Sequence, residues 1–271
     1  MYAGWGGASI RGVRGFIVYR PAHWAFEGID AYFGDVIGAE TNLVSYEADG
    51  RILIKDFYDD VVPPTTEELN AVRALPNTDA ALRHELLLGA TEADGALLAE
   101  RIMLPGLNIR GLKVGQVEGL AANAIATEAK ASIDFRLVPK QSPERIRALV
   151  EAHLKATGWY VTHAAATDDE RRAHPKVVRV TWGGGDEASR VRQDAPVAIA
   201  LTGTLDELLG KPVLRLPTMG GSLPTSVFER TLHVPLIVFP IANHDDNQHA
   251  KDENLRLQNL WDGIDAFAAI M

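Results

Sequence analysis

The 271-residue chain contains no cysteine. Disulfides and thiolate metal sites are therefore excluded, and any bound metal must rely on imidazole and carboxylate. An excess of positive charge is also missing: 27 Lys and Arg face 36 Asp and Glu, a net charge of -9. That balance argues against a nucleic-acid or anionic-membrane partner, since both need a basic face. No apolar run approaches the ~20 residues of a membrane span. The opening residues 1–7 are neither basic nor apolar enough for a signal peptide. The expectation is a soluble, cytoplasmic protein. There is no internal repeat and no low-complexity tract. Hydrophobic residues make up 46%, enough for a sizeable core divided between two lobes.

Periodicity places the elements. Ile10, Val13, Phe16, Ile17 and Val18 mark a first strand over 8–19, and apolar residues at helical spacing predict a helix over 25–47. A short strand is expected at 51–54. Thr65-Thr66-Glu67-Glu68 then opens a helix with a Thr cap and acids in the first turn. Residues 76–106 read as partly helical, and Leu107 begins a strand. Ala131, Ile133, Phe135 and Leu137 alternate with Ser132, Asp134 and Arg136, as in a strand with one apolar and one polar face. Ser142-Pro143-Glu144 is a helix start, and Gly158 is its stop. Tyr160-Val161-Thr162 is expected to begin the closing strand of a split βαββαβ unit. The charged stretch at 168–172 reads as a boundary. Beyond it, strands at 177–180, 213–216 and 235–241 alternate with helices at 194–210 and near the C-terminus, an α/β layering.

The densest cluster of chemistry follows the last of these strands, at Asn243-His244-Asp245-Asp246-Asn247-Gln248-His249. Ligands collect beyond the carboxyl ends of strands in α/β layers, and His with carboxylate suits a zinc-like ion. A solvated loop whose Asp and Asn cap the next helix has the same composition. Arg136, beside Asp134, is either half of a surface ion pair or a planar fork for a carboxylate. Gly220-Gly221-Ser222 either offers backbone N–H groups to an anion or forms an ordinary tight turn.

Four motifs occur in order: Leu107-Asn108-Ile109-Arg110-Gly111, Asp134-Phe135-Arg136-Leu137-Val138-Pro139, Gly220-Gly221-Ser222-Leu223-Pro224, and the run from Asn247 to Asn254. Together they resemble the di-zinc aminoacylase, carnosine dipeptidase and acetylornithine deacetylase family, metallopeptidase family 20. The resemblance implies a ferredoxin-like βαββαβ lid, set here at 8–166 with an insertion at about 50–106, through which two subunits pair. It assigns 167–271 to the C-terminal part of an α/β zinc-peptidase lobe. It further implies hydrolysis of an amide next to a free carboxylate, in a dipeptide or N-acyl amino acid, by zinc-activated water. On this likeness His249 is a zinc ligand and Arg136 holds the substrate carboxylate. Asn123, Gly221 and Ser222 make polar contacts to the substrate.

The chain departs from that family in one respect above all. Its His-x-Asp ligand pair, bridging Asp and Glu-Glu base motif have no counterpart before residue 15. Phe26 stands where the lid carries a His, with His23 three residues early. Glu67-Glu68 lies at a helix start and is not read as the base. The expectation is a chain that does not catalyse by itself, with a non-catalytic dimerisation or binding module as the alternative.

Overall fold

The structure, a computed structural model, describes residues 9–19, 51–89, 91, 96–116, 118–120, 127–221 and 226–271. It is a mixed α/β architecture organised by one sheet. Strands β1 (Ser9–Tyr19), β2 (Gly106–Val114), β3 (Glu128–Arg136), β4 (Tyr160–Thr162) and β5 (Val177–Trp182) lie in the order β2-β3-β1-β5-β4. β3 runs antiparallel to β1 and β2, β5 antiparallel to β1, and β4 parallel to β5. The strands expected near 8–19, 107, 131 and 160 thus share one sheet. The helix expected at 25–47 lies outside the described residues.

The alternation in β3 explains the core. Ala131, Ile133 and Phe135, with Leu137 just beyond, are buried against Ile146, Val150 and Leu154 of helix α4 (Pro143–Ala156). Each of the larger side chains among them contributes about 1.5–3 kcal/mol on burial. The helix starts where expected: the Ser142 hydroxyl accepts from Arg145 N at 3.2 Å, with Pro143 at the first helical position. It stops at Gly158, whose φ of +88° suits glycine alone.

In chain order before it come α1 (Thr66–Arg73), α2 (Asp79–Glu85) and α3 (Leu98–Arg101). At α1 Glu68 N donates to the Thr65 hydroxyl and Thr65 N donates to the Glu68 carboxylate, a complete capping box.

The structure corrects several expectations. The strand at 51–54 does not form. Only Ile52 makes a bridge, and the chain turns instead, with Phe57 N donating to Ile54 O at 3.2 Å. This turn inserts Ile52, Ile54 and Phe57 into the core. Buried Gln141 secures it, donating from Nε2 to Phe57 O at 2.8 Å and accepting from Val138 N at 3.2 Å.

Tyr160–Thr162 is an outer strand and does not close the sheet; the place beside β1 belongs to β5. The sequence reading gave that segment to the C-terminal part. Nor is 168–172 a break. It forms helix α5 (Asp168–Ala173), because Thr167 and Glu170 make a second capping box and Arg172 pairs with Asp168 and Asp169 one turn away. Helix α5 therefore lies between β4 and β5, two strands of one sheet.

Beyond β5 the described residues form helices α6 (Pro196–Leu209), α7 (Ser226–Leu232) and α8 (Leu257–Ile270). The strands expected at 213–216 and 235–241 are not formed. Pro212, Pro217, Pro235 and Pro240 supply no N–H for a ladder, and Leu214, Ile237 and Val238 remain exposed. In α8 the small residues Gly263 and Ala266 are buried, whereas the large apolar Leu257, Trp261, Ile264 and Phe267 are about half exposed or more. Gly263 faces Ile241 so closely that a Cβ would lie 2.7 Å from Ile241 Cγ2. No helix among the described residues is long and apolar enough to cross a membrane.

Candidate functional site

Arg136 occupies the last position of β3, opposite Ser9 on β1 and Gly106 on β2. Its Nη1 donates to the carbonyl of Gly220 at 3.0 Å, across 84 positions of sequence. Its Nε stands 2.6 Å from Asp134 Oδ2. The two residues form an ion pair of which only the arginine reaches the surface. The Arg136 side chain is 37% exposed, but that of Asp134 is 3% exposed. Oδ2 of Asp134 has no aligned hydrogen-bond donor among the described residues, so the guanidinium balances it by charge. A carboxylate this buried is tolerated only beside a cation.

The Gly220 contact brings two of the four motifs together. Gly221 is buried and lines a cavity of about 550 Å³. Leu201 and Leu205 of α6, Leu214, Val238 and Ala266 of α8 contribute to its largely apolar wall. Asn123 and Ser222 lie outside the described residues.

The polar loop is organised by Asn243, the first residue of that cluster. This residue is 4% exposed, and its Nδ2 donates to Asp245 at 2.9 Å and to Asn254 at 3.4 Å. Its Oδ1 accepts from Arg256 N at 2.9 Å, at the cap of α8. The Asn243 amide, aided by the Arg256 guanidinium, holds the Asp245 carboxyl below the usual range. Within the loop Asn247, His249 and Asp252 all adopt left-handed backbone, with φ of 57°, 63° and 64°. Such conformations cost of order 1 kcal/mol each outside glycine. They are held by Ala250 N donating to Asn247 O and Asn254 N donating to Asp246 O, both at 2.8 Å.

The metal reading is not supported by this donor set. His249 is exposed, and no group of three His, Asp or Glu side chains converges among the described residues. His244 and Asp246 have ligand spacing but different partners. His244 Nε2 lies 3.5 Å from Glu85 Oε1, while Asp246 Oδ1 accepts from Gln248 N at 2.9 Å. Zinc requires three or four protein ligands, so His249 with the described residues does not fit it and no chemical step is assigned to a metal here. Glu68 is engaged in its cap and in an ion pair with Arg190.

Comparison with known proteins follows the same geometry. Residues 61–158, from the approach to α1 through α4, match the model of the peptidase dimerisation domain. The chain is 24% identical over 243 residues to the human Beta-Ala-His dipeptidase, covering 82% of this chain and 42% of that protein. It is 22% identical over 231 residues to the Cys-Gly metallodipeptidase of Saccharomyces cerevisiae, covering 83% and 45%. Among solved structures, an M20 family metallo-carboxypeptidase from Sulfolobus solfataricus superposes with a TM-score of 0.72 at 20% identity, over 98% of this chain and 58% of that one. The chain spans less than half the length of the curated relatives it matches. Over residues 61–158 the chain thus matches a peptidase dimerisation domain, it is similar in sequence to dipeptidases, and it shares its fold with an M20 metallo-carboxypeptidase.

Proposed function

We propose that this chain is the dimerising lid and part of the hydrolase lobe of a metallodipeptidase-type protein. Its substrate class is a dipeptide or N-acyl amino acid with a free carboxylate. The observation that carries the reading is the Arg136–Gly220 hydrogen bond, which joins the end of a sheet strand to the glycine loop of the other lobe. A guanidinium at such a junction can take a carboxylate with its planar fork. Asn123, Gly221 and Ser222 are the accompanying polar contacts, and His249 would supply at most one ligand to a zinc ion whose further ligands the described residues do not provide. The sheet order with β5 closing beside β1 supports a ferredoxin-like lid, to which β4 adds an outer strand. Pairing of two subunits uses this lid: β2 is the longer of its two edges among the described residues, with Leu112 exposed on it.

By itself this chain does not complete the catalytic centre. A zinc-bound water needs three protein ligands on the metal and a base within hydrogen-bond reach, and His249 stands alone among the described residues. The test is a panel of dipeptides and N-acyl amino acids with added zinc, run on the chain and on His249→Ala. No turnover by either is expected. Turnover that disappears in His249→Ala would contradict the reading and show that other ligands complete the site. The second reading, a binding module without catalysis, is favoured by the exposed, unclustered His249. Two zinc per chain would contradict both; a carboxylate-dependent affinity for dipeptides that is lost in Arg136→Ala separates them, its presence supporting the first and its absence the second.

A further inference from the structure

We propose that Asp134 is the positioning residue for Arg136: it holds the guanidinium with one side tied to Gly220 and the rest presented to a ligand carboxylate. The proposal rests on the reading of Arg136 as the carboxylate anchor. Asp134 and Arg136 are two apart on one strand, so they share a face of the sheet. An arginine side chain at a strand end has many rotamers open to it, and ordering them weakens any contact it makes. Here two groups restrict it. The buried Asp134 carboxylate lies 2.6 Å from Nε, and the Gly220 carbonyl lies 3.0 Å from Nη1. Nη2 has no partner among the described residues, and the side chain is 37% exposed. Nη2 and the second hydrogen of Nη1 are therefore left to grip a carboxylate.

Two consequences follow. The charge of Arg136 is already balanced by Asp134, so a ligand is selected by the geometry of the fork more than by net attraction. A carboxylate bound there is also coupled, through Nη1, to the loop that carries Gly221.

The experiment compares glycylglycine with its C-terminal amide, glycylglycinamide, by calorimetry and by NMR of protein labelled with ¹⁵N-arginine. Arg136→Lys identifies the Arg136 resonances by their loss. The wild-type chain is expected to prefer the free carboxylate by about tenfold, the worth of one charge-assisted hydrogen bond, with the Arg136 signals moving on titration. Arg136→Lys and Asp134→Asn should each bring the preference close to one. No preference in the wild-type chain defeats the anchor reading and this proposal with it. A preference lost in Arg136→Lys but kept or increased in Asp134→Asn leaves the anchor standing and overturns the positioning role. Should Asp134→Asn not fold, the ligand-free wild type decides: separate, resolved Arg136 Nη1 and Nη2 signals, as of a guanidinium held in one orientation, support the proposal, and a single averaged signal overturns it.

Discussion

Glu68 Oε1 stands 3.3 Å from Arg190 Nε, with side chains 8% and 9% exposed. The pair ties the first turn of α1 to the segment between β5 and α6. Removing one partner leaves the other buried without a counter-charge, which costs about 3–5 kcal/mol. Arg190→Ala is expected to lose that much in urea denaturation, and the double change Glu68→Gln with Arg190→Met clearly less. Equal losses would show that the pair is not coupled.

Gln141 is buried in the core, at 2% exposed, and both ends of its amide are used. Gln141→Leu leaves Val138 N and Phe57 O without their partner. An orphaned buried group costs about 1–3 kcal/mol, so a destabilisation of that order is expected by thermal or chemical unfolding. A neutral result would mean that water reaches both groups.

Gly263 permits α8 to approach Ile241, and a methyl there would meet Ile241 Cγ2 at 2.7 Å. Overpacking of this kind costs roughly 1–3 kcal/mol, more than the gain in helix propensity from Gly to Ala returns. Gly263→Ala should therefore destabilise, and adding Ile241→Ala should recover part of the loss. Stabilisation by Gly263→Ala alone would contradict the close approach.

Tyr160 donates to Glu170 at 2.7 Å, and the same bond acts on both groups. The Thr167 backbone N–H, then the Tyr160 hydroxyl, lower the Glu170 carboxyl below its ordinary 4.5. The Glu170 carboxylate raises the Tyr160 hydroxyl above its ordinary 10.0. A carboxyl lowered by folding adds stability above its unfolded value, and that stability disappears as pH falls through the lowered value. A raised Tyr adds stability that is lost only as pH climbs past its folded value. Glu170→Gln should lower stability at neutral pH and flatten the acid limb, so that the two profiles converge as pH falls below about 4.5. An unaltered acid limb would refute the assignment.

Local chemistry made much of the sheet domain readable in advance. Ser142-Pro143 announced α4, Thr65 and Glu68 announced α1, and strict alternation announced β3 with its buried apolar face. Alternation could not reveal that Asp134, on the opposite face, is buried too, because that depends on what covers the sheet. The capping box at Thr167 and Glu170 was present in the sequence, but the density of charge around it resembled a linker. The runs at 213–216 and 235–241 have strand-like composition, yet a strand exists only when another supplies its ladder. At the site, Arg136 and Gly221 were legible from motifs. The Arg136–Gly220 bond and the role of Asn243 are long-range or loop-specific, and no local pattern encodes them.

The central claim is that the sheet bearing residues 61–158 pairs two copies of this chain. Sedimentation velocity at micromolar concentration tests it most directly. A dimer is predicted, with Leu112→Lys on the edge strand β2 shifting it toward monomer while helix content stays unchanged. A wild-type chain that sediments only as a monomer would contradict the account.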